Sequence, residues 1–175
     1  MKTRKLTLLS LLSVLALVLG FFENMFIPDI PFLPVGAKPG LSNIVTMFVA
    51  GTMGFTGAIY ITLIKGIFAL ITRGATAAFM SLAGGIISTA VMSLMIKREG
   101  KTFSYIGIGV LSAVMHNMGQ LAAACVITGT AALVSYGKYL IVFGLVTGFV
   151  TGTLLTVLMP SVRKIINQIY NVKEK

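Results

Sequence analysis

The stretch AAFMSLAGGIISTAVMSLMIKREGK, residues 77–101, decides the class to which this protein belongs. Residues 77–96 carry no charge and, as a helix rising about 1.5 Å per residue, extend about 30 Å, the thickness of the hydrocarbon core of a bilayer. A basic cluster follows at once, formed by Lys97, Arg98 and Lys101. An uncharged helix of this length that ends in cations is typical of a membrane span emerging at the cytoplasmic face.

The same alternation of apolar runs and basic clusters continues along the chain. Most of its 14 Lys and Arg lie near the N-terminus, in the 97–101 cluster or in the tail of residues 163–175. Hydrophobic residues make up 57% of the sequence and charged residues 10%, which leaves too little polar surface to cover a soluble fold. We therefore predict a multi-pass protein of the bacterial cytoplasmic membrane, with both termini and the 97–101 cluster in the cytoplasm.

The formal net charge of +10 does not indicate a nucleic-acid-binding protein. The cations lie at the edges of the predicted spans and do not alternate with aromatic residues along an exposed face. Anionic lipid headgroups at the membrane surface are the simpler partner for these charges.

The hydrophobic runs predict six transmembrane helices in a compact all-α bundle. They lie at residues 6–22, at 77–96, at about 104–132 and, after a turn near residues 136–138, up to Pro160, with two further short spans within 41–72. The 41–72 run is too long for one span and suffices for two short ones that turn near Gly51, Gly54 and Gly57. Four of the 5 prolines fall between residues 23 and 40, which predicts an outer loop there.

Each end of the chain has its own pattern. Residues 2–22 resemble a signal peptide, but no small-x-small cleavage site follows them, so we interpret them as a retained helix. Apolar residues recur at helical spacing from Val162 to Val172, which predicts an amphipathic helix on the cytoplasmic interface. We therefore divide the chain into a transmembrane domain, residues 1–160, and a basic cytoplasmic tail, residues 161–175.

Small residues recur every three or four positions on the first and last predicted helices. In lipid, such stripes let helix backbones approach closely, either within one bundle or between subunits. Internal packing is the simpler interpretation, and docking of another membrane subunit is the alternative. The residues considered for partner packing are Ser13, Ala16 and Gly20 on the first helix and Gly144, Gly148 and Gly152 on the last.

A polar cluster interrupts the fifth predicted helix at His116, Asn117 and Gln120. His116 and Gln120 are four residues apart and share one helix face, with Asn117 beside them. Polar side chains at this depth need partners, either on another helix or on a ligand, and the sequence leaves both open. A metal site is disfavoured, because His116 is the only histidine and the chain holds just 4 carboxylates.

Lys65 interrupts the apolar stretch of residues 59–71. A cation inside a span costs about 2.5–3.5 kcal/mol on insertion scales, so it snorkels outward, pairs with a counter-charge or faces a cavity. The carboxylates all fall outside the predicted spans, so the remaining alternatives are snorkelling and an anionic or carbonyl-bearing ligand. Arg73 and Lys38 are expected at the outer mouth of the same cavity.

The sequence lacks the motifs of an enzyme that acts on nucleotides or diphosphates. It has no glycine-rich phosphate loop, and its scattered carboxylates offer no set to hold magnesium. The single Cys125 leaves no disulfide within the chain. We expect no enzymatic activity, no metal and no cofactor.

Several strings together resemble the Gx transporter family, whose members are often labelled heptaprenyl diphosphate synthase component I. These strings are Lys38-Pro-Gly-Leu-Ser-Asn43, Gly84-Gly85, Ile106-Gly-Ile-Gly109 and His116-Asn-Met-Gly-Gln120. The resemblance covers roughly residues 5–160. The family is similar to the substrate-binding S components of energy-coupling factor transporters.

The resemblance implies a six-helix S-component fold that captures a small molecule at its outer face, with the loop after the first helix as a lid. It also implies partners, a transmembrane T component and two cytoplasmic ATPases. The resemblance and the polar residues together give these candidate substrate-binding residues: Lys38, Asn43, Lys65, Arg73, His116, Asn117 and Gln120. The synthase label gives a rival function, a non-catalytic membrane subunit of polyprenyl diphosphate or quinone synthesis or of linked electron transfer.

Overall fold

The uncharged runs of the sequence form long α-helices, because only a helix satisfies its backbone hydrogen bonds internally within lipid. The computed structural model describes the backbone of residues 2–26, 40–100 and 102–171, and the side chains of 3–25, 40–100 and 102–164. Its helices are α1 (Lys2–Phe26), α2 (Leu41–Arg73), α3 (Ala75–Ile96), α4 (Tyr105–Thr128) and α5 (Gly137–Asn171), with a 3-10 helix at Ala131–Tyr136 before α5. Within these described residues, five helices are long and apolar enough to cross a membrane.

The helix α2 is folded back on itself at Gly54. This residue has φ 79° and ψ −173°, which a residue with a Cβ rarely adopts. The Nζ of Lys65 lies 2.7 Å from Oδ1 of Asn43, although 22 residues of straight helix would separate them by about 33 Å. The first arm, residues 41–53, therefore runs antiparallel to the second arm, residues 55–73.

The number of helices thus differs from the six predicted. The part of the chain that the structure describes has five long helices, because the predicted second and third spans are the two arms of the single bent element α2. The predicted turn region was correct, because the break falls at Gly54. A second sharp turn at Gly74, with φ 85° and ψ 179°, separates α2 from α3. Glycine is required at both turns because the chain reverses within one residue.

The α2 turn lies at the end of the bundle that carries the basic clusters. A Cβ added at Gly51 would meet Ile96 and Met159, and one at Gly57 would meet Leu9. These contacts place the turn beside the start of α1, the end of α3 and the later part of α5. We call this the basic end, and the end with Gly40, Gly74 and Gly129 the opposite end. The assignment of the basic end to the cytoplasm stays a prediction.

Glycines bring α4 and α5 into backbone contact. A Cβ on Gly144 would lie 3.0 Å from Cα of Val114, and one on Gly152 would lie 2.6 Å from Cα of Ile106. Gly148 packs in the same way against Val110. The small-residue stripe on α5, for which docking of another subunit was the alternative to internal packing, is therefore covered by α4 of the same chain.

The small residues of α1 are also covered within the chain. Ser13 and Ala16 are 4% and 1% exposed, and Gly20 lies next to Ser42 on the first arm of α2. These residues therefore pack within the bundle, as the simpler interpretation of the sequence has it.

The helix α5 continues through Pro160, where the sequence predicted its end. Proline removes one helical hydrogen bond, but it does not end a helix that is held on both sides. Met159 is fully buried, and Arg163 forms a 3.0 Å ion pair with Glu99. The backbone of the tail is thus part of α5 up to Asn171. The position of this tail on the membrane interface stays a prediction.

Candidate functional site

A polar cavity opens between α1, both arms of α2, α3 and α4. It encloses about 630 Å³ of space, including the part that is open to solvent. The cavity lies toward the opposite end of the bundle, where α1 ends and α2 begins. The polar side chains that line it are Glu23, Asn24, Ser42, Asn43, Lys65, Arg73, Ser81, His116 and Gln120.

The fold of α2 places Lys65 in this cavity. Asn43 and Lys65 lie at equal distances in sequence from Gly54, so the hairpin brings them face to face. The ammonium group of Lys65 donates a 2.7 Å hydrogen bond to Oδ1 of Asn43. This bond uses one of its three N–H donors, which leaves the other two for further acceptors in the cavity.

His116 and Gln120 enter the cavity from α4. The Nδ1 atom of His116 lies 3.4 Å from Oγ of Ser88 on α3. A Cβ on Gly84 would lie 2.6 Å from the backbone oxygen of His116 and 2.7 Å from Cγ of Gln120. Gly84 thus makes the space that lets both side chains fit against α3.

Asn117 does not line the cavity. Its side chain is 3% exposed and its Nδ2 donates a 3.0 Å hydrogen bond to the carbonyl of Leu140 on α5. One residue of helix turns about 100°, which carries Asn117 from the face of His116 to the face that packs on α5. Of the polar cluster on α4, two residues belong to the cavity and one joins two helices.

Arg73 lines the cavity at the end of α2, with its side chain exposed near the mouth. The predicted candidate Lys38 and most of the predicted lid lie outside the described residues. The structure therefore brings together Asn43, Lys65, Arg73, His116 and Gln120 from the predicted set.

Glu23 corrects the expectation that every carboxylate lies outside the helices of the bundle. It belongs to α1, is 3% exposed and lines the cavity. Its Oε1 accepts a 2.5 Å hydrogen bond from the backbone N–H of Leu41, the first residue of α2. The carboxylate therefore caps the positive end of another helix, and its charge also interacts with Lys65.

The sequence held one signal for Glu23. This acidic residue stands among Phe21, Phe22, Met25 and Phe26, where solvation by water is unexpected. An ionised group in such surroundings needs a partner. The sequence could not identify that partner, because Leu41 lies 18 residues away across a proline-rich segment.

The charges of the cavity favour an anion. Lys65 and Arg73 contribute two cations, whereas Glu23 is the carboxylate that lines it. Part of the Glu23 charge is already offset by the N-terminus of α2. Among the described residues, no group of three or more His, Cys, Asp or Glu is placed to hold a metal ion.

Comparison with known proteins identifies the family of the chain. Residues 12–158 match the family described as heptaprenyl diphosphate synthase component I. No curated protein and no solved structure matches the chain. The match spans all five long helices, from within α1 to within α5. This α-helical membrane protein therefore belongs to the heptaprenyl diphosphate synthase component I family.

Proposed function

We propose that this chain is the substrate-binding component of an energy-coupling factor uptake transporter, and that it captures a small anionic molecule. The observation that carries the proposal is Lys65, a cation on a membrane helix that faces a polar cavity. A cation at this depth is costly unless a partner compensates for it. Within the chain Lys65 has the neutral Asn43 and the charge of Glu23, which also caps α2, and an anionic ligand adds to this compensation.

The proposed binding mode assigns a task to each part of the cavity. Arg73 at the mouth attracts the anion, and Lys65 forms a charge-assisted hydrogen bond with it. His116 and Gln120 contribute hydrogen bonds from α4. The Glu23 to Leu41 bond ties together the two helix ends that flank the predicted lid.

Transport requires partners that supply energy. We propose a transmembrane T component and two cytoplasmic ATPases, because the sequence has no phosphate loop of its own. The chain is proposed to be no enzyme: given an allylic diphosphate, isopentenyl diphosphate and magnesium, the purified protein should form no product. Product formation by this chain alone would contradict the proposal.

Native mass spectrometry of the purified protein tests the binding function. Wild type should carry a co-purified small anion, and Lys65→Met should lose most of it. The matched control is Lys138→Met, which removes an exposed lysine that stacks on Tyr139 outside the cavity. Equal occupancy in all three proteins would contradict the assignment of Lys65 to the site.

The proposed capture at the outer face requires a defined orientation in the membrane. In a Cys125→Ser background, a cysteine at the exposed Thr102 should be labelled from the cytoplasm, and one at the exposed Ser135 from outside. Labelling of both positions from the same side would contradict the proposed orientation.

The description of the family supplies a second candidate function, that of a non-catalytic membrane subunit in polyprenyl diphosphate synthesis. Affinity purification from the native membrane distinguishes the two candidates. Recovery of a T component with ATPases supports transport, and recovery of a soluble prenyl synthase supports the accessory function.

A further inference from the structure

A second, smaller cavity adjoins the polar one. It encloses about 240 Å³ of space, including its open part, and lies between the first arm of α2 and the helices α3, α4 and α5. Gly40 and Asn43 line both cavities. Because Asn43 also binds Lys65, the small cavity begins beside the proposed anion site.

The residues that line the two cavities follow one another along two helices. Ser112, His116 and Gln120 are spaced by four residues along one face of α4. Gln120 and His116 line the polar cavity, and Ser112 lines the small one. On α2, Asn43 and Met47 repeat this spacing, so both helices lead from the polar cavity toward the basic end.

The hydroxyl of Ser112 has no hydrogen-bond partner among the described residues. Ser112 is 3% exposed and its Oγ is buried. Buried hydroxyls normally have a partner, and several others in this bundle bind a carbonyl one turn earlier, as Ser13 does with Leu9. Ser112 Oγ is therefore free to bind a group that enters the small cavity.

The rest of the small cavity suits a slim, uncharged group. Its lining includes Met47 and Met92, whose flexible side chains adapt to the shape of a ligand, and it contains no charged side chain. A second anionic group would find no cation there.

We propose that the two cavities form one binding site for a slim amphipathic anion. Its charged group binds Lys65, and its uncharged end passes Asn43 and forms a hydrogen bond with Oγ of Ser112. The anionic half of this inference rests on the proposed function, whereas the path to Ser112 stands on the geometry of the small cavity.

Cysteine modification tests the path. In the Cys125→Ser background, Ser112→Cys is treated with sulfonatoethyl methanethiosulfonate, which has a reactive uncharged end and an anionic group. The matched control is Ser93→Cys on α3. Ser93 is 5% exposed and its hydroxyl is also unpartnered, but it lines neither cavity. We expect modification at position 112 to be at least about tenfold faster than at position 93.

A second comparison tests the charge. The cationic trimethylammonium reagent should modify Ser112→Cys more slowly than the anionic one, after correction for their reactivity with a free thiol. Adding Lys65→Met should reduce this preference severalfold. Should Ser112→Cys fail to fold, as judged by its melting temperature, Ala113→Cys on the wall of the same cavity takes its place.

Two different results would contradict the proposed two-part site, and each contradicts a different part of it. Modification at position 112 as slow as at position 93 would show that the path is closed, which overturns this inference and leaves the anion site intact. Rapid modification with no preference for the anionic reagent, and no effect of Lys65→Met, would overturn the anion site and with it the two-part ligand.

Discussion

The α2 hairpin and the α4–α5 pair both hold two antiparallel helical segments together, and they do so in opposite ways. Between α4 and α5, glycines bring the backbones into direct contact. Toward the opposite end of the bundle, the side chains of Lys65 and Asn43 lie between the two arms of α2. Close backbone contact leaves no room for a ligand, whereas helices separated by polar side chains leave a cavity between them.

The largest expected effect comes from filling the α4–α5 contact. Gly148→Ala places a Cβ against the backbone of Val110, which cannot move aside as a side chain would. We expect destabilisation of about 1–3 kcal/mol, measured as a fall in the melting temperature in detergent. Gly107→Ala on α4 is the control, because its Cβ meets Ser104 Oγ at an ordinary 3.6 Å. Equal melting temperatures for the two variants would refute the importance of this contact.

Removal of the Glu23 carboxylate should have an effect of comparable size. Glu23→Ala deletes the hydrogen bond to Leu41 and should destabilise the fold by about 1.5–3 kcal/mol, as expected for a bond to a charged group. Glu23→Gln keeps an acceptor but loses the charge, so it should melt between Glu23→Ala and wild type. It should also retain at least as much bound anion as wild type in native mass spectra. Loss of the anion from Glu23→Gln would mean that Glu23 binds the ligand directly.

The polar cluster on α4 offers a direct comparison of its two faces. Asn117→Leu removes the bond to Leu140 and should lower stability by about 0.5–1.5 kcal/mol, with little change in anion occupancy. Gln120→Leu should do the reverse, lowering occupancy and leaving the melting temperature nearly unchanged. The same response from both variants would show that the two faces have one role.

The smallest effect is expected at the basic end. Arg163→Met breaks the ion pair with Glu99. The side chain of Arg163 is 46% exposed and that of Glu99 is 22% exposed. Solvent screens such a pair, so the loss should be about 0–1 kcal/mol and should diminish further at high salt. A larger loss that salt does not alter would indicate that the contact of Arg163 with the Tyr105 ring carries the stabilisation.

The sequence singled out several residues that the structure brings together in one cavity, and their role in binding stays a prediction. Lys65 and His116 were identified because each is a costly residue in an apolar run, and that cost is a local property of the sequence. Asn117 was placed in the site with them, although a rotation of one residue takes it to another helix. Glu23 was missed because its position relative to the helix end depends on contacts with α2.

The helix count differs from the prediction because the two predicted spans within residues 41–72 are the two antiparallel arms of one bent element. Length and hydropathy predicted two short spans within residues 41–72, and the glycines predicted where the chain turns. Whether such a turn separates two helices or bends one depends on the dihedral angles at Gly54, which the packing of both arms selects. Pro160 gives the opposite case, since a residue that commonly ends helices is tolerated because its neighbours are held on both sides.

By itself the sequence determined that this chain is a helical membrane protein with glycine turns, basic clusters and a few polar residues placed at high cost in apolar runs. These properties follow from chain length, hydropathy and side-chain chemistry, which are local. The tertiary structure alone decided which polar residues meet: it joined Asn43 to Lys65, Glu23 to Leu41 and Asn117 to Leu140. The physical reason is that the partner of a buried polar group is set by the packing of helices that are distant in sequence.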